Sequence, residues 1–259
     1  MFFGHGSIAE IDFDLISLNS IFQQKSEPMA GEKNKEKLIL DAAVSLFTTK
    51  GYTATRMEDV AKKAGISKGL TYFYYKNKED LFMALTKKAF DQFKEEFRES
   101  FRSKGKSGLE MITDLVQRIW TFAKEQPVYY QAILHFLDLM KKYTDPRLRN
   151  EIDPLVLDSI HFHKLLELHH EPPRIGIQMV SQGIKDGSIR PELQPEITFF
   201  TIWSMIIGFE KMNGPVEYEN KEFKISPESW QPGFIKLMQD MLKGTVQASK
   251  PQIVQASLF

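Results

Sequence analysis

Apolar positions along this chain recur at helical spacing, and no run of strand-like alternation competes with them after residue 30. Ile39, Ala42, Ala43, Leu46 and Phe47 fall at i, i+3, i+4, i+7 and i+8, which makes one buried stripe. Gly51 follows Lys50 as a stop, because glycine accepts the left-handed conformation past a helix end. Thr55-Arg56-Met57-Glu58 reads as a capping box in which Thr55 caps and Glu58 reaches back. Val60, Ala61 and Ala64 then give a second helix a small apolar face, and Gly65 ends it. Ile66 plugs the turn and Ser67 caps a short third helix from Lys68 to Tyr74. Asn77 is placed to cap a fourth, whose stripe of Leu81, Leu85, Ala89, Phe93 and Phe97 carries it to about Arg102.

Beyond the linker at residues 103–108, Pro and Gly punctuate a series of further helices. They are expected over 109–124, from Pro127 to about Met140, from Asp145 to about His170 with an interruption at Pro154, and over 175–185 after a break at Pro172-Pro173. The last two run over 195–212 and 227–243. The fold class is therefore all-α: a three-helix helix-turn-helix head joined by a long helix to a C-terminal helical ligand-binding and dimerisation domain. The expected divisions are an extension at 1–30, the head at 31–80, the second domain at 81–246 and a tail at 247–259. Residues 1–30 carry only a weak alternating or short helical pattern and no basic region ahead of an apolar core, so they do not read as a signal peptide. They are expected to form a disordered extension, and the alternative is that translation starts at Met29, because the coherent pattern begins just after it.

The chain has 259 residues and a formal net charge of +0, so nucleic-acid binding would depend on a local patch. Residues 31–80 hold ten Lys/Arg against seven Asp/Glu, the right sign for one. With no cysteine there is neither a disulfide framework nor a thiolate metal site, which suits the cytoplasm. No apolar run is long enough to span a membrane.

A turn between two close-packed short helices is the arrangement that sets a recognition helix in the major groove. On that helix Lys68 offers a donor to guanine or phosphate, Thr71 a hydroxyl and a methyl, and Tyr72, Phe73 and Tyr74 a mixture of core packing and DNA contact. Lys78, at the start of the fourth helix, is placed to hold phosphate with the backbone N–H groups. Lys33, Lys35 and Lys37 oppose the dipole of the first helix, so phosphate contact explains them better than helix stability does.

The run ILDAAVSLFTTKGYTATRMEDVAKKAGISKGLTYFYYKNKEDLF, within residues 36–82, resembles the DNA-binding head of the TetR/AcrR family of transcriptional regulators. Thr71 stands where that family usually has an aliphatic residue, and Arg56 where a small hydroxyl residue is common. The resemblance implies DNA contact at Thr55, Lys68, Gly69, Tyr72, Phe73, Tyr74 and Lys78, and Lys37 and Arg56 join them as candidates. It also implies a regulator, in the sense of a repressor released from a palindromic operator by a small hydrophobic molecule, rather than an enzyme, with no cofactor. A homodimer would form through helices 195–212 and 227–243, where Phe199, Phe200, Ile202, Trp203, Ile206 and Ile207 cover more than one face. Trp120, Phe122, Tyr129, Tyr130, Phe136, Met140, Phe162 and Trp203 are the candidates for an apolar ligand cavity with few internal charges. The alternative is a helical metal protein or enzyme using His161, His163, Glu167 and His170, which share one region at helical spacing. There is no HExxH and no second Glu-x-x-His to support a metal.

Overall fold

The structure is a computed structural model that describes residues 30–212 and 227–244. Both the expected extension at 1–30, with the start at Met29, and the tail at 247–259 lie outside the described residues, except for Ala30. The described residues form helices and no strand.

The head is made by α1 (Ala30–Ala54), α2 (Met57–Ala64) and α3 (Lys68–Tyr74). Ile39 and Ala43 of α1 are fully buried and meet Met57 and Val60 of α2, as the stripe predicts. Gly51 sits within α1 at φ 79°, so the helix is broken there and only its last turn continues to Ala54. The expected cap of α2 is a correction. Arg56, not Thr55, is the N-cap residue, and its N–H reaches Asp59 Oδ2 (3.5 Å) rather than Glu58. Thr55 is buried instead, donating its hydroxyl to the Gly51 carbonyl at 2.8 Å and covering a backbone acceptor freed by the break in α1. Gly65 turns the chain at φ 67°, and Ser67 caps α3 by accepting from the Leu70 N–H.

Helix α4 (Lys78–Arg102) leaves the head, capped by Asn77, whose Oδ1 accepts from the Asp80 N–H at 2.7 Å. It buries Leu81, Leu85, Ala89, Phe93 and Phe97, each about one turn from the last. Around it pack α5 (Gly108–Glu125), α6 (Pro127–Thr144) and α9 (Glu171–Asp186). Helix α5 carries the capping box that the sequence reading missed: Ser107 Oγ accepts from the Glu110 N–H, and Glu110 accepts from the Ser107 N–H. A second clamp comes from across the fold, where Asp186 and Ser188 accept from the N–H groups of Gly108 and Leu109 at 2.9 and 3.1 Å. This brings α5 and α9 so close that a Cβ on Gly108 would strike the backbone of Gly183.

Two boundaries differ from the pattern-based expectation. Between Thr144 and Glu171 there is no single helix but a 3₁₀ turn (Arg149–Glu151), α7 (Pro154–Leu157) and α8 (Ile160–Leu168). Asp153 and Ser159 each accept a backbone N–H at the start of a new helix, so the chain restarts twice within a few residues. Pro172 and Pro173, read as a break, lie in the first turn of α9, where a missing N–H costs nothing because it would have no intrahelical partner. The fold is completed by α10 (Pro195–Met212), which packs on α9, and α11 (Pro227–Lys243), which packs on α5.

Candidate nucleic-acid interface and sensor cleft

Helix α3 divides its residues sharply. Thr71 is fully buried, and its hydroxyl donates to the Ser67 carbonyl at 3.1 Å. This corrects the expectation that Thr71 reads base edges: it stands where an aliphatic residue is usual because it does an aliphatic residue's work. Tyr75, one residue past the helix, is also buried and aims its hydroxyl at Glu36 Oε1 (3.4 Å), tying the helix to α1. Burial, with Glu36 beside it, raises the Tyr75 phenol well above its ordinary pKa. Opposite these anchors Phe73 is 74% exposed and Tyr72 is 38% exposed. Tyr74 is half-buried, 5.8 Å from the Phe73 ring.

Lys68 opens α3 on the same exposed side. Its ammonium pairs with Glu58 at 2.6 Å and lies 5.7 Å from the Tyr72 ring. Both partners are at the surface, so the pair holds the lysine weakly and leaves it able to exchange Glu58 for a stronger anion. Gly69 is exposed with nothing near its missing Cβ, so the reader surface is flat at that point. Arg56 and Lys37 are exposed as well. Lys78 is different. Its Nζ donates to the carbonyls of Tyr52 and Thr53 at 3.1 and 3.4 Å and lies 4.3 Å over the Tyr52 ring. It therefore closes the end of α1 onto α4, satisfying carbonyls that the end of a helix leaves open.

The head is tied to the second part of the molecule by a contact with no signal in the local sequence. Asp80, buried on α4, accepts from the hydroxyl of Ser159 at 2.6 Å, although the two are 79 residues apart. The other Asp80 oxygen accepts from the Lys76 N–H at 3.1 Å, in the loop that follows α3. Ser159 also starts α8, so one serine caps a sensor-side helix and holds the carboxylate that braces the reader.

A cleft of about 1740 Å³ lies among α5, α6, α10 and α11. Of the eight expected ligand residues, Trp120 and Tyr130 line it, and Phe122 lines a smaller cleft of about 620 Å³ between α4 and α5. The others pack elsewhere. Phe136 and Phe162 are fully buried 6.1 Å apart, and Trp203 lies against Phe93, Phe97 and Phe199. Tyr129 is buried beneath Lys88, and Met140 is partly buried against the core. The expectation of few internal charges also needs correcting, since Lys124, His135, Asp138, Glu210, Lys211, Asp240 and Lys243 all border the large cleft. Burial raises the Glu210 carboxyl to about 7 and lowers His135 below its ordinary value. Neither residue stood out in the sequence, because a charged residue on an amphipathic helix reads as solvated.

The histidines do not converge. His163 Nε2 lies 2.9 Å from the Leu157 carbonyl and His169 Nδ1 lies 2.8 Å from that of Leu166. Among the described residues no three His, Asp or Glu side chains are grouped to hold a metal ion. No helix among them is long and apolar enough to cross a membrane.

Residues 39–85 match the family model for bacterial regulatory proteins of the tetR family. An uncharacterized HTH-type transcriptional regulator of Bacillus subtilis, YhgD, is 25% identical over 190 residues, 72% of this chain and 90% of that protein. The HTH-type transcriptional repressor KstR2 of Rhodococcus jostii is 25% identical over 174 residues, 67% of this chain and 77% of that protein. In fold, the chain resembles the B. subtilis transcriptional regulator FadR, crystallised in complex with stearoyl-CoA. The TM-score is 0.54 at 22% identity, covering 79% of this chain and 98% of that one. A helix-turn-helix head on an all-helical body defines the class as DNA-binding transcriptional regulators. Within it, the head over residues 39–85 is of the tetR type.

Proposed function

We propose that this protein is a ligand-responsive repressor that binds a palindromic operator as a homodimer, with residues 31–80 as the reader and 81–246 as the sensor and dimerisation domain. The observation that carries the reading is the division of α3 into a buried anchor and an exposed face. Thr71 and Tyr75 fix the helix, while Lys68, Gly69, Tyr72 and Phe73 stand outward on it. Phe73 packs edge-on to Tyr74 and otherwise faces solvent, so with Tyr72 and Lys68 it offers a face that base edges and thymine methyls in a major groove would cover. Arg56 and Lys37 supply phosphate contacts at the edges of that face. Thr55, Thr71 and Lys78 support the face from behind rather than touching bases.

Homodimerisation is favoured by what α10 and α11 leave uncovered. Phe199, Ile202, Ile206 and Phe209 turn inward, but Ile197, Phe200, Met212 and Leu237 are each at least half exposed. A pair of such helices from each protomer would form a four-helix interface and set two α3 helices one DNA turn apart, about 34–36 Å. A ligand would act by binding one separation of the heads better than another. The sense of regulation as repression, and an amphipathic effector, are drawn from relatives named as a repressor and as a stearoyl-CoA complex.

The test begins with selection of bound fragments from random double-stranded DNA, followed by gel shift. The reading expects a symmetric site, two protomers per site by light scattering, and loss of binding in a Lys68→Ala/Phe73→Ala variant that keeps its helical signal. Enrichment of no sequence, or retention of full affinity by that variant, overturns it.

A further inference from the structure

Two residues that border the cleft, Trp120 and Tyr130, each carry a buried polar atom with no hydrogen-bond partner among the described residues: the indole Nε1 and the phenol hydroxyl. Trp120 is 7% exposed and Tyr130 is 4% exposed, so bulk water does not readily satisfy either. Leaving a buried donor unpaired is costly, and native interiors seldom leave one without a purpose. Both residues sit on neighbouring helices, α5 and α6, and border the same space. The Trp120 ring is held against Phe209 of α10 and Phe234 of α11, with centroids 4.8 and 5.4 Å away, so its N–H has a fixed direction.

The chemistry of these groups selects a ligand. An indole N–H only donates, and a phenol donates readily, so the missing partner is an acceptor. A primary amine offers donors where donors already stand. A carboxylate would accept, and Lys124, Lys211 and Lys243 border the cleft, but at the Tyr130 phenol it would meet the charge of Glu210, which has no ion-pair partner among the described residues and whose own ionisation is already opposed by burial. An uncharged oxygen meets neither objection. The aromatic floor of Trp120, Phe209 and Phe234 suits an apolar chain.

We propose that the cleft between α5, α6, α10 and α11 is a binding site for an uncharged, carbonyl-bearing amphiphile, whose oxygen accepts from Trp120 Nε1 and the Tyr130 hydroxyl. This rests on the reading of the helical body as the sensor of a ligand-responsive regulator, and it names the head group that the sensor recognises.

The probes are three ten-carbon molecules that differ only in the head: 2-decanone, decanoate and decylamine. Each is titrated calorimetrically into the full chain and into Tyr130→Phe and Trp120→Phe, with helical content checked by circular dichroism. The expected order has 2-decanone binding most tightly. Each substitution weakens the ketone roughly five- to tenfold, the loss of one hydrogen bond to a buried donor, and leaves decylamine unweakened. Tighter binding of decanoate or decylamine, no binding of 2-decanone up to its solubility, or unchanged ketone affinity in both folded variants overturns the proposal. Operator binding and its release by a broad metabolite panel are measured in parallel. Release by some other compound while 2-decanone fails removes only the head-group assignment. Absence of any DNA binding removes the regulatory reading, and the titration still decides the cleft.

Discussion

The reader head and the sensor cleft are built from the same materials, capped helices with aromatic residues, yet they place those aromatics in opposite ways. In the head, the buried positions of α3 are taken by Thr71 and Tyr75, and Phe73 is left in solvent. In the sensor, large aromatics such as Phe136 and Phe162 go fully inward, and the polar atoms of Trp120 and Tyr130 have no partner among the described residues. A buried unpaired donor departs from ordinary packing, whereas exposed Tyr72 and Phe73 beside Lys68 form a face that a partner would cover, so each points at what is meant to meet it. The ring calls for a groove surface, and the donors call for an acceptor oxygen.

The sharpest break in this comparison comes from two glycines. Gly108→Ala would drive a methyl group into the backbone of Gly183, where no flexible side chain can give way. The crossing of α5 and α9 must open, at a cost of roughly 3 kcal/mol. Urea denaturation of purified protein checks this, and unchanged stability would show that the helices are not so closely held. Gly69, on the reader, has nothing near its missing Cβ. Gly69→Ala should leave stability unchanged or raise it by up to about 1 kcal/mol, since alanine favours a helix. The two regions thus set glycine differently, one against another helix and one facing open space.

The next effect falls on the joint between the regions. Ser159→Ala removes the 2.6 Å hydrogen bond to Asp80 and leaves a buried carboxylate oxygen short of a donor. A loss of about 2 kcal/mol is expected. Ser159→Thr, which keeps the hydroxyl, should recover much of it. If alanine and threonine behave alike in denaturation, the bond does not brace the reader.

How much of this could be read from the chain depends on whether a local pattern leaves one role open or several. The stripe of α4 and the turn at Gly65 are local, and periodicity and turn chemistry located them. Gly51 and Gly187 adopt positive φ where a helix-stop signal stood in the sequence. Residues whose type allows more than one local role were misjudged. Thr71 is a hydroxyl on a short helix, and nothing local says which side of that helix is buried. Thr55 has the right residue type for a cap but spends its hydroxyl on Gly51. Pro172-Pro173 reads as a break because proline ends helices, yet the same residues begin one when they fall in its first turn. For the sensor, seven aromatics and Met140 were marked, and only the packing of four helices separates Trp120 and Tyr130 from those that fill the core.

On the reader itself, Gly69→Ala should lower operator affinity about tenfold, ~1.4 kcal/mol, because a methyl group would hold the backbone of α3 away from DNA. Gel shifts at fixed salt give the number. Thr71→Val, which keeps the buried volume and discards only the hydroxyl bonded to Ser67, should leave operator preference as it is. A switch in selected sequence for Thr71→Val would return that residue to the reading face and undo the division on which the comparison stands.

The smallest effect concerns Glu210, and its sign tests the sensor side. Burial raises this carboxyl from 4.5 to about 7. Below pH 4.5 it is neutral whether the chain is folded or not, so it contributes no penalty there. As pH rises from 4.5 to about 7, the unfolded chain gives up the proton while the folded chain keeps it, so stability declines across that window. Above it, the folded protein carries a poorly solvated charge and the whole penalty is present. Glu210→Gln keeps the shape and removes the charge. Its denaturation midpoint should therefore match that of the parent near pH 4 and exceed it near pH 8, with the gap opening between. Glu210 is only about half-buried, which keeps the gap modest. A gap of the same size at both pH values would mean that the carboxyl acts through shape alone. A reversed gap would mean that Glu210 meets a cation in solution, and the cleft would then favour a positively charged head over an uncharged one.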